Sequence, residues 1–505
     1  MVEWVQESGV PKFRDAESGK KVRSQAMRDF RKRQREGYRA IESSSSTRGT
    51  HEAHLVETAD ERYRSHRQQI ARRKRVQPAA VEQVPRDDKV EEVQVAHMPL
   101  SPEETLISGV IRGLQMGRLS DAWPGLIPSR IGYHSTVDYA AKAIIRAHDS
   151  ALQGRSSMIS SSLRHYGEAM AGLRGSIARG DASEETLLAA ALLVLFERDP
   201  WSPARVQLHE HLNGHLRGLS ALLAATPPPT NGREVSEITR GVLYGHWVMT
   251  FLRPCALGIA SPFDTPRWRS LEPASLARLP HALARVRKLS NVLFLRLPRL
   301  ITLVRTARIH SVAVPETIAA RALTDELLQQ QDEAAENEFV LSLKIKKAHP
   351  LIAPLVPFSF SFGTIPRLEA GVYYWETQLM LLRLDWKLRN LHVSGETLPL
   401  PAEKQTPISR LCNNLLMCCE FGLTLGIVGR FAMTIALSAV WGSLQEFPDV
   451  LEPRLTAEKA RWLLSRILGQ PAIGWKPPNE ADMDDIAGLL AGGPRQGWLC
   501  HLFQR

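Results

Sequence analysis

The most constraining feature of this chain is an uncharged apolar run at residues 187–196, whose letters are LLAAALLVLF. A helix with apolar side chains on every face is stable only when the rest of the protein surrounds it. Ser183 and Glu184 precede the run, and such residues cap a helix N-terminus or complement its dipole. Pro200 follows, so the helix ends before it. The pattern predicts a buried helix at the centre of the fold.

Apolar side chains recur at steps of three or four on both sides of this run, which is the period of one helix face. The stripe before it comprises Leu163, Tyr166, Met170, Leu173 and Ile177, and the stripe after it comprises Leu208, Leu212, Leu216, Leu219 and Leu223. Two helices with one apolar face each can cover a helix that is apolar all round. The sequence therefore predicts an all-α core built from three consecutive helices.

The chain beyond residue 98 favours further helices. Their predicted ranges are 105–119, 136–152, 235–252, 283–297, 300–309, 316–344, 371–391, 407–440 and 456–468. The run VPFSFSF at residues 356–362 is the one place where a short strand or extended loop competes with helix. The predicted fold class is all-α, a multihelical array or bundle.

Composition divides the chain into three parts. The net charge is +11, and between Lys12 and Arg39 there are 11 basic and 4 acidic residues. We expect residues 1–97 to form a basic, largely disordered arm with one basic helix at about 18–41. Residues 98–470 are predicted to be the helical domain. The Pro- and Gly-rich residues 471–505 are expected to be a loosely held tail, with a short helix near 485–490.

The basic helix of the arm carries two clusters of lysine and arginine. Their spacing is that of a bipartite nuclear import signal. The same residues could instead contact a polyanion such as DNA through salt-sensitive charge, or form a merely solvated helix face. The candidate contact residues are Lys20, Lys21, Arg23, Arg31, Lys32, Arg33 and Arg35.

A histidine pair resembles metal-ligand geometry. His211 and His215 lie four residues apart and share a helix face. Asn213 stands where a zinc-protease motif beginning at His209 would need its second histidine. Two helical histidines without a third ligand do not define a site, so we expect surface or interface histidines and no bound metal.

The run at residues 421–441 approaches the length of a membrane span, with Arg430 as its one charge. A charge near the bilayer centre is costly, so we expect a buried core helix and no membrane association. Cys418 and Cys419 lie just before this run and are expected to fill core. No nucleophile, phosphate-loop or dinucleotide motif is present, so no catalytic residue or cofactor is predicted.

Several pieces of the chain resemble the middle homology region of the fungal-specific transcription factor domain. They are YGEAM at 166–170, SEETLLAAALL at 183–193, HLRGLSALL at 215–223, IGYH at 131–134 and WGSLQEFP at 441–448. Their order and spacing carry the resemblance, which spans roughly residues 103–468. It implies an all-α array without catalytic residues, with a regulatory, dimer-linked role.

The chain departs from that family at its N-terminus. Typical members carry a binuclear zinc cluster with six cysteines in about thirty residues. Here no cysteine precedes Cys255, and residues 12–29 resemble the basic segment of filamentous-fungal relatives that lack the cluster. The resemblance implies a nuclear regulator that binds other transcription regulators or a second copy, without a small-molecule ligand. Weak non-specific DNA contact through the basic arm is a further expectation. The alternatives are a helical scaffold for acidic partners and an enzyme with an unrecognised helical site.

Overall fold

The computed structural model describes residues 101–115, 123–153, 157–198, 205–226, 235–271, 276, 279–309, 314–391, 402–470 and 477–504. All of these lie in the unit His97–Arg505. Within them the fold is all-α, as predicted, with one two-stranded sheet. The predicted basic arm lies outside the described residues.

Seventeen α-helices occupy the described ranges. They are α1 (Pro102–Gln115), α2 (Ser135–Gln153), α3 (Ser157–Ala178), α4 (Glu184–Arg198), α5 (Arg205–Ala225), α6 (Glu237–Gly245), α7 (Arg253–Leu257), α8 (Pro266–Arg269), α9 (His281–Ile309), α10 (Val314–Leu328), α11 (Glu333–Leu341), α12 (Ile365–Arg389), α13 (Ala402–Thr424), α14 (Gly426–Glu446), α15 (Ala457–Leu468), α16 (Glu480–Leu490) and α17 (Gly497–Gln504). Turns of 3₁₀-helix cover Trp123–Arg130 and Pro448–Leu451, and a π-helical turn covers Val248–Leu252. Strands β1 (Lys344–Lys347) and β2 (Phe358–Ser361) pair antiparallel.

Helix α4 is the buried centre of the first half of the unit, as the sequence predicts. Every residue of its apolar run 187–196 is buried, and Leu192 is 1% exposed. Helices α2, α3 and α5 pack around it. Ser183 caps its N-terminus, with its hydroxyl accepting a hydrogen bond from the Thr186 amide at 3.3 Å.

The buried face of helix α3 matches the predicted apolar stripe only in part, because Leu173 is buried but the two ends of the stripe are not. Leu163 and Ile177 are 39% and 49% exposed, whereas Ser162 and Ser176 are buried. Helix α3 makes its most extensive contact with α2, and there small residues let the two backbones approach. A Cβ atom at Gly172 would lie only 2.4 Å from the Thr136 hydroxyl. The close approach of the helices, which apolar periodicity does not encode, selects the buried face.

Helix α12 is a second centre that the sequence did not single out. Every residue from 370 to 386 is buried, and the helix packs against α9, α10, α13 and α14. An aromatic cluster joins it to its neighbours through Tyr373, whose ring centroid lies 5.1 Å from that of Phe294 and 5.8 Å from that of Trp247. Two buried helices, α4 and α12, therefore organise the two halves of the unit.

Helix α9 is continuous where two helices interrupted at Pro298 were predicted. Proline removes one backbone hydrogen bond from a helix interior. Leu297 and Leu300 on either side of it are fully buried. Tertiary packing of this helix against α12 therefore outweighs the local cost at Pro298.

The predicted long helix 316–344 is also wrong, because the chain turns after α10 and starts again at α11. Asp332 caps α11, its carboxylate accepting from the Ala335 amide at 3.0 Å, and also pairs with Arg285. The chain then leaves the helix and enters β1. Strand β2 confirms the short extended segment that competed at residues 356–362.

The predicted helix 407–440 is two helices, α13 and α14, separated at Leu425. The break brings two glycines into contact, since a Cβ at Gly429 would lie 2.1 Å from the Gly422 carbonyl oxygen. Only glycine tolerates that approach. The apolar run 421–441 is thereby divided, and no helix among the described residues is long and apolar enough to cross a membrane.

The C-terminal residues are more tightly packed than the predicted loose tail. Helix α16 packs against α14, and α17 packs against α16 and α7. Leu490 and Leu499 are 0% and 1% exposed. The Arg305 guanidinium, itself buried, donates to the Gly493 carbonyl at 2.7 Å. Residues 477–504 therefore belong to the same packed unit as the helices before them.

Candidate functional site

A buried polar cluster joins the three helices that carry the family resemblance. Tyr166 comes from α3, Glu197 from the end of α4 and His215 from α5. The Tyr166 hydroxyl donates to Glu197 Oε1 at 2.5 Å, and His215 Nδ1 lies 3.4 Å from the same oxygen. The Tyr166 ring also stacks on Phe196, with 5.0 Å between centroids. One carboxylate oxygen is thus shared by residues from neighbouring helices.

Local sequence explains how these side chains meet. Glu197 is the first charged residue after the apolar run of α4. Because the helix is still buried at this position, the carboxyl group lies inside the protein. Tyr166 is partly buried on α3, and its side chain contacts the C-terminal end of α4. Leu216 and Leu219 are buried and hold α5 against α4, which places His215 beside the carboxylate.

Burial controls the protonation of this cluster. The Glu197 side chain is 1% exposed, and its Oε2 atom has no hydrogen-bond partner among the described residues. Burial raises the pKa of Glu197 to about 7, although the hydrogen bond from Tyr166 acts in the opposite direction. Burial and the neighbouring Glu197 also raise the pKa of Tyr166 well above its usual range, so the phenol remains a donor. The carboxyl group therefore changes charge near neutral pH.

A second polar cluster lies between α11, α12 and α13. Glu336 is 2% exposed and accepts from Trp375 Nε1 at 3.1 Å and from Asn414 Nδ2 at 3.3 Å. Arg410 lies 3.3 Å from its other oxygen. Burial is the largest influence on the Glu336 pKa and raises it, while Arg410 lowers it. The charged and hydrogen-bonding partners make this cluster a structural connection between three helices.

The small cavity beside Arg410 has a volume of about 10 Å³, which is about the room that one water molecule needs. Gln331 and Gln378 border it, joined by a hydrogen bond of 2.8 Å. On the outer side of Arg410, Ser409 and Asn413 line a shallow open groove. The cavity has room for one bridging water molecule, and the groove presents polar side chains at the surface.

The residues proposed from sequence fare differently. The import residues Lys20, Lys21, Arg23, Arg31, Lys32, Arg33 and Arg35 lie outside the described residues. The side chain of His211 also lies outside them, whereas His215 contacts Glu197. In the described part of the chain, no group of three or more His, Cys, Asp or Glu side chains could hold a metal ion.

The adjacent cysteines fill core, as expected. Cys418 and Cys419 are both fully buried, and the Cys418 thiol donates to the Asn414 carbonyl at 3.1 Å. Burial raises the pKa of the Cys419 thiol to about 12 and that of Cys418 well above its usual value. Both groups are therefore neutral thiols at physiological pH. Because only a thiolate is a strong nucleophile, neither is expected to be reactive.

Comparisons of the chain with protein-family models, with curated proteins and with solved structures gave no match. The resemblance described above stays a prediction from sequence. The buried cluster adds Glu197, which lies between two of the resembling pieces and belongs to neither. The signal that could have identified it is its place as the first charge after ten apolar residues.

Proposed function

We propose that this chain is a nuclear transcriptional regulator of the fungal transcription factor domain type, without a zinc cluster of its own. The observation that supports the proposal most is the arrangement of the resembling pieces. Three of them form the consecutive helices α3, α4 and α5, which pack on one another around the buried run. Tyr166 and His215, one from each outer piece, meet at Glu197.

The regulator acts through protein contacts. Its basic arm provides nuclear import through the two clusters at Lys20–Lys21 and 31–35, and adds loose, salt-sensitive attraction to DNA. The helical unit binds other transcription regulators or a second copy of the chain. The rival function, a helical scaffold outside the nucleus, shares the same fold and differs in location and in its effect on transcription.

Import is tested with a fluorescent fusion of the full chain in fungal cells. The chain alone has a mass of 56.4 kDa, so passive entry of the fusion is slow and the signal determines its distribution. We expect nuclear enrichment to be lost when the clusters are changed to alanine, the altered residues being Lys20, Lys21, Arg31, Lys32, Arg33 and Arg35. The matched control changes the other basic run, Arg72, Arg73, Lys74 and Arg75, to alanine and keeps the enrichment.

The regulatory role needs its own readout. The chain is fused to a heterologous DNA-binding domain and its effect on a reporter promoter is measured. A regulator changes reporter expression, and the effect persists in the import variant because the fused domain supplies its own nuclear signal. Unaltered reporter expression together with cytosolic fluorescence of the parent would contradict the regulator and favour the scaffold.

A further inference from the structure

The two-stranded sheet has an open edge on an otherwise helical unit. All four residues of β1 are exposed, whereas β2 packs against α13 and its Phe360 is 1% exposed. Among the described residues β1 pairs with β2 and with no other strand. In an antiparallel pair, alternate residues direct their N–H and C=O groups away from the partner strand. The outer side of β1 can therefore accept another strand.

Large apolar side chains lie beside this edge. Ile345 in β1 and Phe358 in β2 are 58% and 52% exposed. The register pairs Ile345 with Phe360 and Lys347 with Phe358, so Ile345 and Phe358 are diagonal neighbours on one face of the sheet. Leu341, three residues before β1, is 86% exposed. An added strand would place one of its side chains beside Ile345, and such side-chain contacts are how strand addition obtains specificity.

The charge of the edge selects the kind of partner. The sequence of β1 is KIKK, and Lys346 pairs with Glu420 at 2.5 Å while its side chain stays 50% exposed. Lys344 and Lys347 form no ion pair among the described residues. Like charges facing each other across two strands are destabilising, so this edge disfavours pairing with a second copy of itself. An acidic segment would be attracted to it.

We propose that β1 is a docking edge for an extended acidic segment of another protein, which adds to the sheet as a third strand. The segment has carboxylates opposite Lys344 and Lys347 and an apolar residue opposite Ile345. Main-chain hydrogen bonds to β1 supply affinity, and Ile345 contacts an apolar side chain of the added segment. Lys344 and Lys347, which lie on opposite faces of β1, each contact a carboxylate. Docking of this kind does not depend on nuclear import, so its failure and the failure of the regulatory proposal are distinguishable.

The test uses the full chain and a labelled short valine–glutamate peptide whose central segment is Glu-Val-Val-Glu, with binding followed by fluorescence anisotropy. This order places a glutamate opposite Lys344 and another opposite Lys347 in either strand direction. We expect saturable binding that weakens about tenfold or more in the Lys344→Glu, Lys347→Glu double variant, because both charge contacts become repulsive. The matched control reverses the charge of two exposed basic residues away from the sheet, Arg321→Glu in α10 and Lys459→Glu in α15. It should change the affinity less than about twofold.

Two further probes separate strand addition from charge attraction. A peptide of the same charge with proline at alternate positions lacks the donors for main-chain pairing and should bind at least about tenfold more weakly. Backbone amides at residues 344–347 of the unaltered chain should exchange hydrogen more slowly when the valine–glutamate peptide is bound, which needs no variant.

Three results would each overturn the docking edge. These are equal binding of the proline peptide, unchanged exchange at β1, and full affinity in the double variant with an unaltered melting temperature. Tighter binding of duplex DNA, lost in the double variant but kept in the control, would assign the lysines to nucleic acid and overturn it as well.

Discussion

At the scale of single residues, Glu197 shows how burial changes the pH dependence of this protein. A carboxylic acid whose pKa is higher in the folded state binds its proton more tightly there than in the unfolded chain. Stability from such a group is present at low pH and is lost as the pH rises from its usual pKa, 4.5, to about 7. Glu376 in α12 acts with the same sign, because it is buried without a partner for its Oε1 atom.

We predict that Glu197→Gln removes part of this pH dependence. Between about pH 5 and about pH 8 the parent should lose on the order of 2 kcal/mol through Glu197, and the neutral variant should not. Thermal or urea unfolding at the two pH values measures the difference. Glutamine keeps an acceptor for the Tyr166 hydroxyl, so the fold should be retained.

The control is Glu338→Gln, an exposed position on α11, whose pH dependence should follow that of the parent. Equal slopes for the parent and the Glu197→Gln variant would mean that Glu197 titrates normally in the folded protein. The cluster would then be only a hydrogen-bonded connection between α3, α4 and α5.

At the scale of secondary-structure elements, α4 and α12 have the same role in different parts of the unit. Each is buried along its length and is covered by neighbours with small or aromatic side chains at the contact. Gly442 in α14 is an example at α12, since a Cβ atom there would lie 2.1 Å from the Arg383 guanidinium. Gly172 allows a similar close approach between α2 and α3, two of the helices that cover α4. The packing of these elements depends on backbone approach as well as on apolar area.

We predict that Leu192→Asp disrupts the unit. Leu192 is 1% exposed in the middle of α4, and the helix has no exposed face toward which it could turn. The carboxyl group would have to stay protonated or admit water, so the loss should be at least about 4 kcal/mol. Soluble yield and thermal melting measure it.

The matched control is the same substitution at Leu341, which is 86% exposed on α11. It should melt within a few degrees of the parent, because its carboxylate remains in water. A Leu192→Asp protein that melts like the Leu341→Asp protein would mean that α4 is not central, and the family interpretation built on α4 would fail with it.

At the scale of the whole molecule, the C-terminal helices close the unit over α14 and α9. Trp441 Nε1 donates to Asp484 at 2.6 Å, and the Arg461 guanidinium lies 4.4 Å from the Trp441 ring centroid. Arg305 and Arg308 donate to the Gly493 and Gly492 carbonyls. Residues 477–504 therefore supply acceptors for the buried Arg305 and the exposed Arg308 as well as apolar surface.

We predict that deleting residues 477–504 prevents stable folding. The deletion removes buried Met483, Ile486, Leu490 and Phe503, at about 1.5–3 kcal/mol each, and leaves Arg305 without its acceptors. That loss is comparable with the 5–15 kcal/mol that typically stabilises a domain. The measurement is soluble yield and cooperativity of melting. Glu480→Ala, at an exposed position, is the control, and a deleted chain that melts cooperatively near the parent's temperature would contradict the prediction.

The sequence by itself determined the helical class, the buried run of α4 and its cap at Ser183. These follow from local physics, because the apolar period and the capping oxygens act within a few residues. Tyr166 and His215 were also singled out as parts of resembling pieces, but their meeting at Glu197 was not.

Only the tertiary structure decided which face of each helix is buried and where a helix continues or ends. Helix α9 continues through Pro298 because Leu297 and Leu300 are buried on both sides of it. Helix α3 buries Ser162 and Ser176 because α2 approaches closely at Gly172, and α13 ends because Gly422 and Gly429 allow the chain to turn. Each outcome depends on residues far apart in sequence, whose contact free energy exceeds the local preference. The shared carboxylate of Glu197 has the same origin, because three helices must pack before its pKa can change.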